Sequence, residues 1–64
     1  MLENHLYDLM IQLVEENKSL WRIKNEYIKN SGDCRECAGF WQKMEKDKEA
    51  HVKELAALVK KHLE

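Results

Sequence analysis

The four residues Asn30-Ser31-Gly32-Asp33 decide how this chain folds, because they are the only break in an otherwise helix-forming sequence. Gly32 can adopt the left-handed conformation that ends a helix. Asp33 followed three residues later by Glu36 is typical of a capping box, in which Asp33 is the N-cap of a second helix. The sequence therefore predicts two helices joined by a turn at residues 31–33.

The first predicted helix covers about residues 3–30 and carries two apolar stripes at heptad spacing. One stripe consists of Leu6, Leu13, Leu20 and Tyr27, and the residues that follow them form the other, Tyr7, Val14, Trp21 and Ile28. Since successive residues of an α-helix are about 100° apart, the two stripes are separated by that angle. The apolar arc is therefore wider than one partner helix covers.

The second predicted helix covers about residues 34–62. Its apolar positions also recur at helical spacing, and they include Cys37, Phe40, Trp41, Met44, Val52, Leu55, Leu58 and Val59. A connection of only a few residues requires neighbouring helices to run antiparallel. The chain is therefore predicted to be a single all-α domain, residues 1–64, built as an antiparallel two-helix hairpin.

A hairpin on its own is expected to leave an apolar set exposed, consisting of Tyr7, Val14, Trp21 and Val59. Contiguous exposed apolar surface normally marks an interface. Because two-fold homodimers are the commonest assemblies, we predict that two copies pair through these residues into a four-helix bundle. The alternative is a hairpin that docks on an unidentified protein partner.

The composition and charge limit which partners and which cellular compartment are expected. The net charge is −1 and charges of both signs are interspersed, so neither nucleic acid nor a membrane is expected as a partner. No apolar run reaches the roughly 18 residues of a membrane span, and the N-terminus lacks the pattern of a signal segment. We therefore expect a cytoplasmic protein. The final Leu63-Glu64 is interpreted as a candidate cloning remnant and is given no functional role.

Polar residues occupy positions where the core of the hairpin is expected. With equal rise on both helices, residues whose numbers sum to about 67 lie opposite each other. This register places Glu16 opposite His51, with Lys48 one turn before His51 on the same face. Buried charge is costly unless it is paired or metal-bound, so these three residues are predicted to form a polar core layer. The same register brings His5 opposite His62 at the open end.

The segment FWQKMEKDKEAHVKEL at residues 40–55 resembles the metal-binding helix of ferritin-like proteins of the rubrerythrin type. Those proteins carry Glu-x-x-His within an acidic run that is followed by an aliphatic stretch. Glu16, in Val14-Glu15-Glu16-Asn17, is similar to the single glutamate of their preceding helix. The resemblance implies iron or manganese redox chemistry, with Glu16 and His51 as metal ligands and with hairpin dimers acting as whole bundles.

The chain departs from that pattern at Lys48, which stands three residues before His51 where the family has glutamate. Two copies of Glu16 and His51 could hold one ion through oxygen and nitrogen, but the nearby lysines would repel it. We favour a structural interpretation, in which Lys48 replaces the charge of the metal and pairs with Glu16. Such a layer fixes the register of the dimer, and no cofactor is then expected.

Cys34 and Cys37 form a CxxC motif at the start of the second helix. The helix dipole and the neighbouring Arg35 favour a thiolate at Cys34, as in a redox-active or metal-sensing pair. The motif also supplies two of the four thiolates of a zinc site. We favour a third interpretation, in which Cys37 is a small core residue beneath Phe40 and Trp41 and Cys34 is incidental. The redox interpretation comes next and zinc last.

Three classes of function follow from these features. The first is a small homodimeric helical-bundle protein with a structural or protein-interaction role. The alternatives are a ferritin-like iron or manganese protein that uses Glu16 and His51, and a thiol redox or metal-sensing element that uses Cys34 and Cys37. An enzyme is not expected, because no nucleophile has an adjacent base and a thin bundle has little room for a ligand cavity of about 300 Å³.

Overall fold

The computed structural model describes residues 4–63, which form two long helical arms joined by a tight turn. The first arm is continuous and consists of α1 (Asn4–Arg22), a π-helical turn (Ile23–Tyr27) and α2 (Ile28–Asn30). The second arm, after the turn, is α3 (Arg35–Leu63). No strand occurs among these residues, so the all-α prediction is confirmed. The predicted helix start near residue 3 and the interpretation of Glu64 lie outside the described residues.

The two arms run antiparallel, as contacts at both ends of the hairpin show. At the open end the His5 and His62 rings meet, with Nε2 and Nδ1 atoms 3.3 Å apart. Beside the turn, Tyr27 packs on Trp41 with ring centroids 4.8 Å apart. The molecule is accordingly a rod of 48 × 17 × 13 Å. The predicted helical hairpin is therefore confirmed, whereas the pairing of two hairpins is a proposal.

The first arm contains one wide turn at Ile23–Tyr27, where the backbone bonds change from i→i+4 to i→i+5. The Ile28 N–H donates to the Ile23 carbonyl, which is the i→i+5 bond of a π-helix. At the entrance to this turn the Asn25 Nδ2 donates to the Trp21 carbonyl at 2.9 Å. Within this turn Ile23 is buried and Tyr27 is half-buried against Trp41 of α3, whereas the three residues between them are exposed.

The turn between the arms contains Gly32, as predicted, but the second helix starts one residue later than predicted. Gly32 has φ +55° and is the only residue with positive φ among those described. The Cys34 N–H donates to the Ser31 carbonyl at 3.0 Å, which holds Asp33 inside the turn. Helix α3 therefore begins at Arg35, and Cys34 occupies the N-cap position that the sequence analysis gave to Asp33.

Few apolar side chains of the hairpin are fully buried. Among the described residues only Leu6 and Ile23 are buried hydrophobic residues, and Glu16 is the one buried polar residue. Domains of this size fold with marginal stability even when their cores are well filled. Within residues 4–63 the fully buried apolar core is therefore small.

None of the helices in residues 4–63 combines the length and the apolar character that a membrane crossing requires.

Candidate functional site

Glu16 lies near the middle of the hairpin and is the centre of a polar cluster. Its side chain projects from α1 toward α3, and only 8% of the residue is exposed. The Lys48 Nζ lies 3.2 Å from Glu16 Oε1, and the Gln12 Nε2 donates to the same oxygen at 3.0 Å. The His51 Nδ1 lies 3.4 Å from Oε2. The structure thus brings together Glu16, Lys48 and His51, the three residues of the predicted polar layer.

The surroundings of Glu16 favour its charged form. Burial is the largest single effect and raises the pKa of the carboxyl group, but the hydrogen bond and charge of Lys48, together with the contacts of Gln12 and His51, lower it by more in total. Gln12 and His51 make smaller contributions in the same direction. The pKa of Glu16 therefore falls below its ordinary value of 4.5, and the side chain is a carboxylate at neutral pH.

The second oxygen of Glu16 is less well satisfied than the first. Oε2 is buried and accepts no well-formed hydrogen bond from the described residues. The 3.4 Å separation from His51 Nδ1 is long for a hydrogen bond. His51 itself is exposed, rather than enclosed in the interior as the register predicted, and it lines an open groove of about 350 Å³ together with Glu16, Leu55 and Leu58.

The donor set of one chain does not fit a resident metal ion. Residues 4–63 contain no group of three or more histidine, cysteine, aspartate or glutamate side chains placed to hold an ion. At the polar layer the Lys48 ammonium already occupies Glu16 Oε1, which leaves one carboxylate oxygen and one imidazole. Iron and manganese need more oxygen or nitrogen ligands than this, and zinc needs four in a structural site.

The CxxC motif lies on the turn-facing end of α3, with Cys34 as N-cap and Cys37 in the first helical turn. The Cys37 N–H donates to Cys34 Sγ at 3.2 Å. The two side chains lie close together and both are exposed free cysteines. Phe40 is also exposed. The interpretation of Cys37 as a core residue beneath Phe40 and Trp41 is therefore wrong, because the Cys37 side chain is exposed.

The two thiols of the motif differ in acidity. The Cys37 side chain, together with the backbone N–H groups of Cys37 and Glu36, lowers the pKa of Cys34. The hydrogen bond to Cys34 and the charge of that residue raise the pKa of Cys37. The pair is thus polarised into one thiol that ionises readily and one that resists ionisation.

An exposed apolar stripe runs along α1. The exposed fractions of Tyr7, Val14 and Trp21 are 56%, 49% and 58%. Ile11 was not predicted to belong to this set, but it is also exposed and lies four residues after Tyr7 and three before Val14 on the same face. We call Tyr7, Ile11, Val14 and Trp21 the α1 stripe. Val59 was expected to be exposed with them, but it is half-buried because its side of α3 faces α1.

Comparison with protein-family models found no match, and neither did comparison with curated proteins or with solved structures. These comparisons assign the chain to no family. The resemblance of residues 40–55 to the metal-binding helix of ferritin-like proteins gains no support from them and stays a prediction.

Proposed function

We propose that this chain is a protein-interaction module that works as a homodimer, in which two hairpins pack through the α1 stripe into a four-helix assembly. The observation that carries the proposal is the α1 stripe itself. Three of its members are about half exposed or more although their side chains are large and apolar. An exposed apolar surface of this kind is typical of a protein–protein interface.

The position of the stripe on α1 fits a helix with two neighbours. Leu6 and Leu13 face α3, whereas the residues that directly follow them, Tyr7 and Val14, belong to the stripe. Adjacent residues are about 100° apart around a helix. Helices inside a bundle contact neighbours in two directions separated by a similar angle. One direction is taken by α3, and the other is open in the isolated chain.

The spacing of the stripe supports a second copy of this chain as the partner. Tyr7 and Trp21 each lie seven residues from Val14. A two-fold axis at Val14 would therefore place Val14 on its own copy and each Tyr7 against the Trp21 of the other chain, in an antiparallel α1–α1 contact. Beside Trp21 an open groove of about 330 Å³, lined by Lys18 and Arg22, provides space for the incoming ring.

Two further properties support self-association. In the described part of one hairpin only Leu6 and Ile23 are buried hydrophobic residues, so a second hairpin would add apolar burial. The net charge of −1 is small, and long-range repulsion between two copies is correspondingly weak. The Glu16–Lys48 pair acts within each hairpin and fixes the register of α1 on α3.

Sedimentation equilibrium tests the proposal with two matched variants. Trp21→Glu puts a charge into the α1 stripe and should convert the dimer to monomer. Phe40→Glu makes the same change at a side chain of similar size and exposure, 55% against 58%, that lies outside the stripe, and it should leave the dimer intact. A monomeric parent chain, or equal effects of the two variants, would contradict the α1 interface.

A cross-link tests the position of the two-fold axis. In a Cys34→Ser/Cys37→Ser background, Val14→Cys should form a disulfide-linked dimer on mild oxidation, because the axis brings the two copies of residue 14 into contact. Lys53→Cys, on the exposed side of α3, is the control and should stay monomeric on a non-reducing gel. Cross-linking at residue 53 without cross-linking at residue 14 would place the interface on α3 instead.

A further inference from the structure

We propose that Cys34 and Cys37 form a dithiol–disulfide exchange site that reacts with low-molecular-weight disulfides, with Cys34 as the attacking sulfur and Cys37 as the resolving one. The proposal is independent of the homodimer, because both cysteines belong to one chain and lie three residues apart. It rests on the position of the pair at the start of α3, on the hydrogen bond between them and on their exposure.

Cys34 occupies the position where a helix stabilises negative charge best. As the N-cap residue it precedes the first unpaired N–H groups of α3, and the positive end of the helix dipole lies beside it. The Cys37 N–H donates to Cys34 Sγ at 3.2 Å, in the way that an N-cap oxygen is usually bonded. The sulfur thus takes the place of the serine or aspartate oxygen that caps most helices.

The polarity of the pair assigns the two roles. The groups around Cys34 lower its pKa, so at neutral pH Cys34 is ionised more often than Cys37 and is the better attacking group. The nearby Cys34 raises the pKa of Cys37, so Cys37 is the less acidic thiol and takes the resolving role. Once Cys34 is part of a mixed disulfide it no longer carries the negative charge that held back ionisation of Cys37.

Access and geometry also permit the reaction. Both cysteines are exposed, and Cys37 borders two open grooves of about 330 and 290 Å³, where the rings of Tyr27, Phe40 and Trp41 provide apolar walls. Residues three apart at the start of a helix are neighbours, and Cys34 Sγ already lies 3.2 Å from the Cys37 backbone nitrogen. Because Cys34 precedes α3, its side chain can turn toward Cys37 without breaking the helix.

The exchange runs in two balanced steps. In the first step the Cys34 thiol gives its proton to water, and the Cys34 thiolate attacks one sulfur of the incoming disulfide. A mixed disulfide forms at Cys34, and the other sulfur of the incoming disulfide leaves as a thiolate and takes up a proton. Cys37 then loses its proton to water, and its sulfur attacks Cys34 Sγ and releases the second thiolate, which is protonated in turn. The dithiol is oxidised to one Cys34–Cys37 disulfide, and the incoming disulfide is reduced to two thiols.

Oxidised glutathione is the probe for the first test, with the full reduced chain as the protein. Acid-quenched samples analysed by mass spectrometry should show a mixed disulfide that appears first and is then replaced by a chain lacking two hydrogen atoms. In Cys37→Ser the mixed disulfide should accumulate, because the resolving sulfur is lost. In Cys34→Ser the remaining Cys37 should react more slowly than Cys34 does in the Cys37→Ser variant.

The same two single-cysteine variants in guanidinium chloride serve as the matched control. Unfolding removes the start of α3, so the two rates should converge, and circular dichroism in buffer checks that both variants fold. Equal rates in the folded variants, or a mixed disulfide in the parent chain that never closes, would overturn the proposal. Purified protein whose thiols are both protected by zinc until a chelator is added would assign the pair to a metal site instead.

Discussion

Lys48 and Glu16 lie 32 residues apart in the sequence, and Lys48 Nζ lies 3.2 Å from Glu16 Oε1 at the middle of the hairpin. The exposed fractions of the two side chains are 20% and 10%. The pair therefore joins α1 to α3 in a region that water reaches poorly, where an unpaired charge is costly.

Removing the lysine charge should destabilise the hairpin. In Lys48→Met the buried carboxylate of Glu16 loses its cation, and the free energy of unfolding should fall by about 1–3 kcal/mol, less than for a fully buried pair because Lys48 is partly exposed. Urea denaturation measures the change. Lys24→Met is the control: it breaks the Lys24–Glu49 pair, 3.5 Å apart with both side chains 45% exposed, and should cost only about 0.2–1 kcal/mol. Equal losses of unfolding free energy in the two variants would mean that burial of Glu16 does not strengthen its pair with Lys48.

The Glu16 carboxylate should also make stability depend on pH. Its pKa in the folded chain lies below the ordinary 4.5, so its contribution is present above that value and is lost as the pH falls through the lower folded pKa. Urea denaturation of the parent chain and of Glu16→Gln, followed from neutral pH down to about pH 3, measures the difference in unfolding free energy between them. That difference should shrink on acidification, and a constant difference would show that Glu16 does not titrate in this way.

The two glycines should respond to alanine in opposite directions. Gly32 has φ +55°, and Gly32→Ala should destabilise the turn by about 1–2 kcal/mol although nothing lies within 4 Å of the added methyl group. Gly39 lies within α3 and is equally unobstructed, so Gly39→Ala should stabilise the chain by about 0.5–1 kcal/mol. Thermal unfolding of both variants measures the two effects. A loss at both positions would indicate that residue 39 contacts a partner in solution.

The ferritin-like resemblance makes a prediction about position 48. Lys48→Glu supplies the carboxylate that the family carries three residues before its histidine, and it removes the ammonium beside Glu16. The variant should therefore bind manganese or iron more tightly than the parent chain. Calorimetric titration with each ion measures the affinity, and Lys48→Gln is the control that removes the charge without adding a ligand. If the glutamate and glutamine variants bind equally weakly, the resemblance loses its main support.

The sequence predicted the register of the hairpin well, since a short turn and a constant helical rise leave little freedom. That register placed Glu16 opposite His51 and His5 opposite His62, and both pairs are in contact. Helical periodicity gives the direction of a side chain but not how far the neighbouring arm covers it. The exposure of His51 and the half-burial of Val59 were therefore missed.

Two local features could not be read from the pattern. The π-helical turn leaves no distinct signal, because steps of four residues also occur in regular helices. The start of α3 was misplaced because Asp33 and Cys34 are both possible N-caps, and the choice depends on the hydrogen bond that the Cys34 N–H makes to Ser31. The hydrogen bond from the Cys37 N–H to Cys34 Sγ follows from that one-residue difference.

The π-helical turn at Ile23–Tyr27 also determines where this chain can change in length. Lys24, Asn25 and Glu26 are exposed within it, and removing one of them would let the backbone close into an ordinary helical turn while the flanking segments keep their partners. The same deletion between Glu16 and Arg22 would rotate the residues before it by about 100° and turn Glu16 away from Lys48. A shorter version of the hairpin would therefore carry its gap at residues 24–26.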